Sequence, residues 1–361
     1  MEQSHFIEWV KKYFPGITIK VVEKLNDSNA PLPYWHRRML RPDFSVTGKW
    51  ESINASFSLV AADVVAMDSS LPLKKRDSIA KASGDIPKMG IELKLNERQL
   101  TELDILVAQN GTQEQILAKL FADTPKVIGG IYERNEAMFL EGLSTGLALV
   151  EDTENVGTAV RLDYGYKTEN KFGVAVIWAT SATAKPLDDI QKILDKASLD
   201  GNTITTLKMD RTAYNNMVKT TQVKEAFAFY TGLNGGVLMA PSVAQLNNFL
   251  NDRYGFNIEI IDRSVRFEKN GVQTAVKPWQ DGMVVALTND QVGSLAWARL
   301  AEQNHPVAGV MYSTVDQFIL VSKYRTNRPS LGEWTSAQAR VVPVISNVDQ
   351  IYTLDSKTVQ A

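Results

Sequence analysis

The run Gly142-Leu143-Ser144-Thr145-Gly146 has the G-x-S-x-G form of a hydrolase nucleophile elbow. That chemistry needs the serine exposed on a sharp strand-to-helix turn, beside a base and an oxyanion hole. Here the run follows an apolar stripe at helical spacing, Ile128, Ile131, Tyr132, Met138, Phe139 and Leu143. Ser144 therefore falls at a helix end, and Gly146 reads as the stop. His5, His36 and His305 are not spaced as a metal pair, and the chain has no H-E-x-x-H, phosphate loop or G-x-G-x-x-G. Asp188 and Asp189 are neighbours on a predicted helix and point about 100° apart. They suit a helix start, where the dipole favours acids, better than a metal. Gly129-Gly130 and Gly235-Gly236 lack a strand–Lys context and read as packing and turn glycines. With no cysteine there is no disulfide, thiolate nucleophile or Cys-held cluster. No catalytic residue, cofactor or metal is expected.

Composition points the same way. The 361 residues are 44% apolar and 22% charged, enough to bury a sizeable core. A net charge of −2 lacks the basic footprint of a dedicated nucleic-acid binder. Residues 1–14 lack a basic region followed by an unbroken apolar core, so no signal peptide is expected there. Apolar runs such as 59–62 and 318–321 are far shorter than the roughly 18 residues that span a bilayer, so a soluble protein made in the cytoplasm is expected.

The elements that would position these residues alternate between helix and strand. Phe6, Trp9, Val10, Tyr13 and Phe14 form one face of an N-terminal helix that Pro15-Gly16 should end. Residues 26–43, with Pro31, Pro33 and Pro42, read as loop. Residues 44–95 read as a long extended ribbon. Its polar tip, 68–88, carries Lys74, Lys75, Arg76 and Lys81 and too few apolar residues for a core, so it should meet a partner. Asn96 with Gln99 and Thr112 with Gln115 are capping boxes, and Pro125 opens a longer helix. Short strands follow at 147–150, 160–164 and 172–178. Pro186 starts a helix, Asp210 and Ser242 cap two more, and Asn270-Gly271 marks a hairpin turn. Further strands are expected at 204–209, 256–262, 283–288, 317–323, 341–345 and 351–354. The class is α+β.

The order of these features resembles the lambda-type major head proteins of tailed phages, the major capsid protein E family, with the Hong Kong 97 capsid fold. Glu133-Arg134-Asn135-Glu136-Ala137-Met138 running into Thr145-Gly146 resembles that family's helix ending in Thr-Gly before a strand. Leu162-Asp163-Tyr164-Gly165 is similar to its Val-Asp-Phe-Gly strand. Trp178 followed by Pro186-Leu187-Asp188-Asp189-Ile190 resembles its Trp, short loop and helix start. Met209-Asp210 with Tyr214, Tyr254-Gly255, Asn270-Gly271 with Lys277-Pro278, Val342-Pro343-Val344 and Asn347-Val348-Asp349 complete the ordered set. Residues 290–312 and 325–340 depart from the pattern, and the first 130 match in outline only.

The resemblance implies a division of labour. Residues 1–43 would be an N-terminal arm and 44–95 the E-loop lying over a neighbour. Residues 96–185 and 313–361 would form the peripheral domain with its long spine helix, and 186–312 the axial domain. The protein would be a structural subunit of an icosahedral shell, not an enzyme. It would assemble with itself into hexamers and pentamers in the host cytoplasm, and reside in the virion around DNA without sequence-specific binding. Scaffold, portal and decoration proteins would be partners; a membrane would not. Lys74, Lys75, Arg76 and Lys81 would contact a neighbour. An encapsulin-like compartment and a serine hydrolase using Ser144 are the alternatives. On this reading Gly146→Val is costly and Ser144→Ala nearly silent.

Overall fold

The computed structural model describes residues 1–27, 34–54, 80–150, 160–232, 238–269, 271–328 and 330–360. Helix α1 (Ile7–Leu25) runs through Pro15 instead of stopping there. Val10, Phe14 and Thr18 are buried at four-residue spacing, so the stripe continues past the proline. Proline's fixed φ suits a helix and it forfeits one hydrogen bond. Packing outweighs that loss: the Phe14 ring stacks on Phe121, and the Thr18 hydroxyl donates to the Pro15 carbonyl at 2.8 Å.

The stretch expected as loop instead holds α2 (Trp35–Met39) and β1 (Leu40–Phe44). Pro42 is tolerated because β1 is an edge strand, where a missing N–H breaks no ladder. Strands β2 (Lys49–Asn54) and β3 (Ala80–Asp85) pair antiparallel as a ribbon. The third, β4 (Lys88–Asn96), leaves the ribbon and joins the main sheet. Its alternation is that of an extended strand in either setting, and only the partner distinguishes them. Then come α3 (Glu97–Ala108) and α4 (Gln113–Leu120), each opened by the reciprocal bonds of its capping box, and the long α5 (Thr124–Thr145).

The chain continues with β5 (Leu147–Val150), β6 (Val160–Asp163), β7 (Lys171–Val174), α6 (Pro186–Leu199) and β8 (Thr206–Asp210). Next are α7 (Arg211–Lys219), capped by Asp210, α8 (Thr221–Thr231), absent from the sequence expectations, and α9 (Val243–Tyr254), capped by Ser242. The remainder is β9 (Asn257–Ile261), β10 (Val265–Lys269), β11 (Val272–Val276), β12 (Met283–Leu287), β13 (Gly293–Ala298), α10 (Ala301–Asn304), β14 (Met311–Val315), β15 (Ile319–Thr326), β16 (Gly332–Ile345) and β17 (Ile351–Val359).

Two sheets organise the molecule. One has the order β1-β13-β16-β15-β14, with β4 beside the first part of β16; the other is β7-β17-β12-β8-β9. Each has its own apolar cluster, and β12 serves both. Val284 and Ala286 enter one cluster while Val285 and Leu287 enter the other, as the two-residue strand period requires.

One buried cation interrupts the first cluster. Lys323 on β15 is fully buried, with Nζ donating to the Leu120 carbonyl and to Thr335 Oγ1, both at 3.0 Å. Burial pulls its pKa down to about 8, partly offset by the carboxylates of Glu333 and Asp123. The unfolded chain then holds more protons than the folded one from that value up to the ordinary lysine range. Stability contributed by this residue should rise with pH across that window. Urea titrations of wild type and Lys323→Met from pH 7 to 10 should show the wild type gaining on the variant by roughly 2 kcal/mol. A constant difference would mean that Lys323 stays charged.

Candidate functional site

The two glycines of the serine run are seats for tyrosines. A Cβ on Gly142 would stand 2.5 Å from the Tyr164 ring, and one on Gly146 would stand 2.7 Å from Tyr166. Gly146 also has φ +80°, the left-handed conformation that ends α5, as its place in the sequence suggested. The tyrosine hydroxyls complete the lock: Tyr164 donates to the Pro343 carbonyl on β16 at 2.7 Å, and Tyr166 to the Leu143 carbonyl at 3.1 Å. Burial raises both pKa values well above the usual tyrosine range, so both stay donors.

Ser144 is fully buried between them. Its Oγ donates to the Glu141 carbonyl at 3.1 Å and accepts from the Gln280 backbone N–H at 3.1 Å. A serine so placed is a structural tie, so Ser144→Ala removes the Gln280 hydrogen bond, a loss that the sequence expectation did not include. None of the histidines serves it. His5 and His305 are exposed, and His36 is buried against Glu136, eight residues before Ser144 on α5. Thr145 Oγ1 donates to the Glu141 carbonyl at 2.8 Å and accepts from the Leu147 N–H at 3.0 Å, turning the helix end into β5.

Midway along α5, Glu136 is completely buried. It accepts the backbone N–H groups of Trp35 (3.0 Å) and His36 (3.1 Å) at the start of α2, and lies 2.6 Å from His36 Nδ1. Arg263, between β9 and β10, reaches the same place, with Nη2 2.7 Å from Glu133 and Nε 3.7 Å from Glu136, and stacks over the Tyr34 ring. Tyr34 donates to Glu133 at 2.7 Å, and burial first, then that carboxylate, holds its pKa above the usual range.

A similar tie links Arg37 to Asp316 at 3.0 Å, with Tyr132 donating to Asp316 at 2.7 Å. Burial raises the Asp316 pKa despite the arginine. Farther along α2, Arg38 and the buried Lys208 both pair with Glu259 and Asp290, and both cations sit over the Trp35 ring. Sequence reading passed over this network. A charged residue, Glu136, on the same helix sector as Ile128 and Tyr132 was the one available signal.

Of the other expected motif residues, Trp178 and Pro186 come together. Trp178 Nε1 donates to the buried Asp189 at 3.1 Å in the first turn that Pro186 opens, while Asp188 faces out and accepts from Gln222 at 2.7 Å. This splits the aspartate pair between core and surface. Gly271 has φ +75° at the β10–β11 turn; its neighbour Asn270 lies outside the described residues. So do Lys74, Lys75 and Arg76, while Lys81 belongs to β3. Among the described residues, no group of three or more acids and histidines is arranged to hold a metal ion, and no helix is long and apolar enough to cross a membrane.

The family model described as phage major capsid protein E matches residues 52–356. No curated protein matches the sequence. Among solved structures, a protein described as the capsid protein of a prophage of Escherichia coli CFT073 is 13% identical, covers 93% of this chain and 97% of its own, and superposes with a TM-score of 0.57. A phage-related protein of Bordetella bronchiseptica RB50 is 11% identical over 96% of this chain and 98% of its own, with a TM-score of 0.51.

The glycine seats are testable in isolation. Gly146→Val combines positive φ with a ring clash and should cost roughly 2 kcal/mol or more. Gly142→Ala should cost about 1–3 kcal/mol through overpacking against Tyr164. Ser144→Ala loses one tie whose partner is near solvent, and should cost about 1 kcal/mol. Denaturant unfolding that placed Ser144→Ala above Gly146→Val would contradict this reading of the helix end.

Proposed function

The chain belongs to the phage major capsid protein E family and forms the shell of a phage head by self-assembly; from that premise we propose how its parts divide the work. Residues 96–185 with 313–361 act as the peripheral domain, with α5 as spine. Residues 186–312 act as the axial domain, except that β13 joins β16 in the first sheet while β7 and β17 join β12 in the second, and the ribbon with β2 and β3 at its base acts as the E-loop across a neighbour. Residues 1–43 serve as the N-terminal arm, although α1 packs on α5 and β14 of its own subunit. Subunits assemble in the host cytoplasm into hexamers and pentamers, with scaffold, portal and decoration proteins as partners. The shell encloses DNA without sequence-specific binding, consistent with a net charge of −2. Catalysis has no place in this account, because the one serine in a hydrolase-like motif is buried and engaged. An encapsulin-like compartment would use the same fold, and the family match over 52–356 favours the phage head.

The observation that carries the loop assignment is the β2–β3 ladder. Its last pair is Asn54 with Ala80, and β2 and β3 pair only with each other, outside both large sheets. At its root, Trp50 is buried over Gly84, and Ile86 is buried with its N–H on the Gly48 carbonyl. Removing 70–86 would therefore destroy the base, so the test should replace 55–79 with a short Gly-Ser turn. That variant should keep a near-native melting transition yet yield no closed shells by electron microscopy when co-expressed with its scaffold. Normal shells would refute the loop's inter-subunit role, and an unfolded subunit would show that it belongs to the core.

A further inference from the structure

An open cleft of about 760 Å³ lies between α5 and the β10–β11 hairpin. Phe267, Thr274 and Val276 line the hairpin side, and Arg134, Met138 and Glu141 the helix side. Val272 shares the hairpin face with Thr274 and Val276 by the two-residue strand period and is 66% exposed; Val276 is 44% exposed. All five residues of β11 are exposed. A two-stranded ribbon with an apolar face open to water is marginal without a covering partner.

The charges around the cleft specify that partner. Its cations are engaged: Arg134 stacks on Phe267 at 4.5 Å, Arg263 pairs with Glu133, and Lys277 pairs with Asp262 at 3.2 Å. Two of its acids are also engaged, Asp210 as the α7 cap and Asp281 with Lys357. Glu141 and Glu268 differ. Among the described residues neither has a lysine or arginine as ion-pair partner; Glu141 accepts the Leu149 backbone N–H, and Glu268 accepts from Gln273 at 3.0 Å. Burial of Glu141 without a cation raises its pKa. The cleft thus offers exposed valines beside two carboxylates awaiting positive charge.

We propose that this cleft receives the ribbon of a second copy of the chain through the run Leu71-Pro72-Leu73-Lys74-Lys75-Arg76. In that run two leucines precede three consecutive cations, matching valines beside acids. The inference rests on the E-loop reading above and adds the receiving surface. A basic segment of a different protein is the competing occupant.

The chain has no cysteine, so engineered pairs report cleanly. Leu73→Cys with Val272→Cys should give, on oxidation of assembled particles, a reducible ladder of covalent multimers at least tenfold above a control pair. The control is Leu73→Cys with Leu199→Cys, since Leu199 is 86% exposed on α6, which does not line the cleft. A ladder restricted to assembled particles supports the proposal. No ladder, one equal to the control, or an intramolecular crosslink that leaves the subunit monomeric overturns it. As a second arm, Glu141→Gln with Glu268→Gln should reduce shell yield several-fold while leaving the subunit folded by circular dichroism. Undiminished yield counts against the cleft. If shells form normally when 55–79 is replaced, the loop reading itself has failed. If that replacement blocks shells while Val272→Cys stays uncrosslinked, only the cleft assignment falls.

Discussion

A carboxylate without access to water holds this subunit together. Glu136 lies inside α5, where an uncompensated charge would cost several kcal/mol. It is stable because α2 brings two backbone N–H groups and the His36 ring to it, while Arg263 approaches from between β9 and β10. The start of α2 is a good place for an anion, since its unpaired N–H groups and dipole both favour negative charge. Three stretches a hundred or more residues apart thereby share one electrostatic requirement. Removing any one of them would leave a buried charge exposed to an apolar surrounding.

The same helix carries a second, purely steric constraint. Gly142 and Gly146 leave room for Tyr164 and Tyr166, whose hydroxyls fasten the β5–β6 return to β16 and to the helix itself. Ser144 adds a tie to the Gln280 backbone, close to the start of β12. Because β12 presents alternate residues to the two apolar clusters, the helix end, the hairpin root and both sheets are mechanically continuous. A shell subunit needs such continuity: force applied at one contact must reach the others without melting a domain. Ser144, buried and engaged at the helix end, lacks the exposed nucleophile–base geometry of a hydrolase serine.

The surfaces have the opposite character. Apolar side chains remain exposed on the β10–β11 hairpin and at Phe229 and Met239. For a solitary protein these would be liabilities. For a chain whose family builds closed shells they are the expected counterpart of a rigid interior, since assembly buries what folding leaves open.

Local chemistry by itself determined much of this protein. The capping boxes at Asn96 and Thr112, the proline starts of α5 and α6, the caps at Asp210 and Ser242, and the left-handed stop at Gly146 follow from interactions within a few residues, and the structure has them all. The ordered motifs from Glu133 onward also sufficed to mark the family. What remained hidden depended on partners distant in the chain. Nothing near Pro15 reveals that Phe14 will stack on Phe121 and carry α1 onward, and nothing in the alternation of β4 says that it pairs with β16 and not within the ribbon. Ser144 looked dispensable because Gln280 is 136 residues away, and nothing adjacent to Glu136 says what will meet it, because His36 and Arg263 are each about as remote. Short-range hydrogen bonds and backbone sterics are written in adjacent residues; buried charge and strand pairing acquire their energy only when the tertiary fold brings the two halves together.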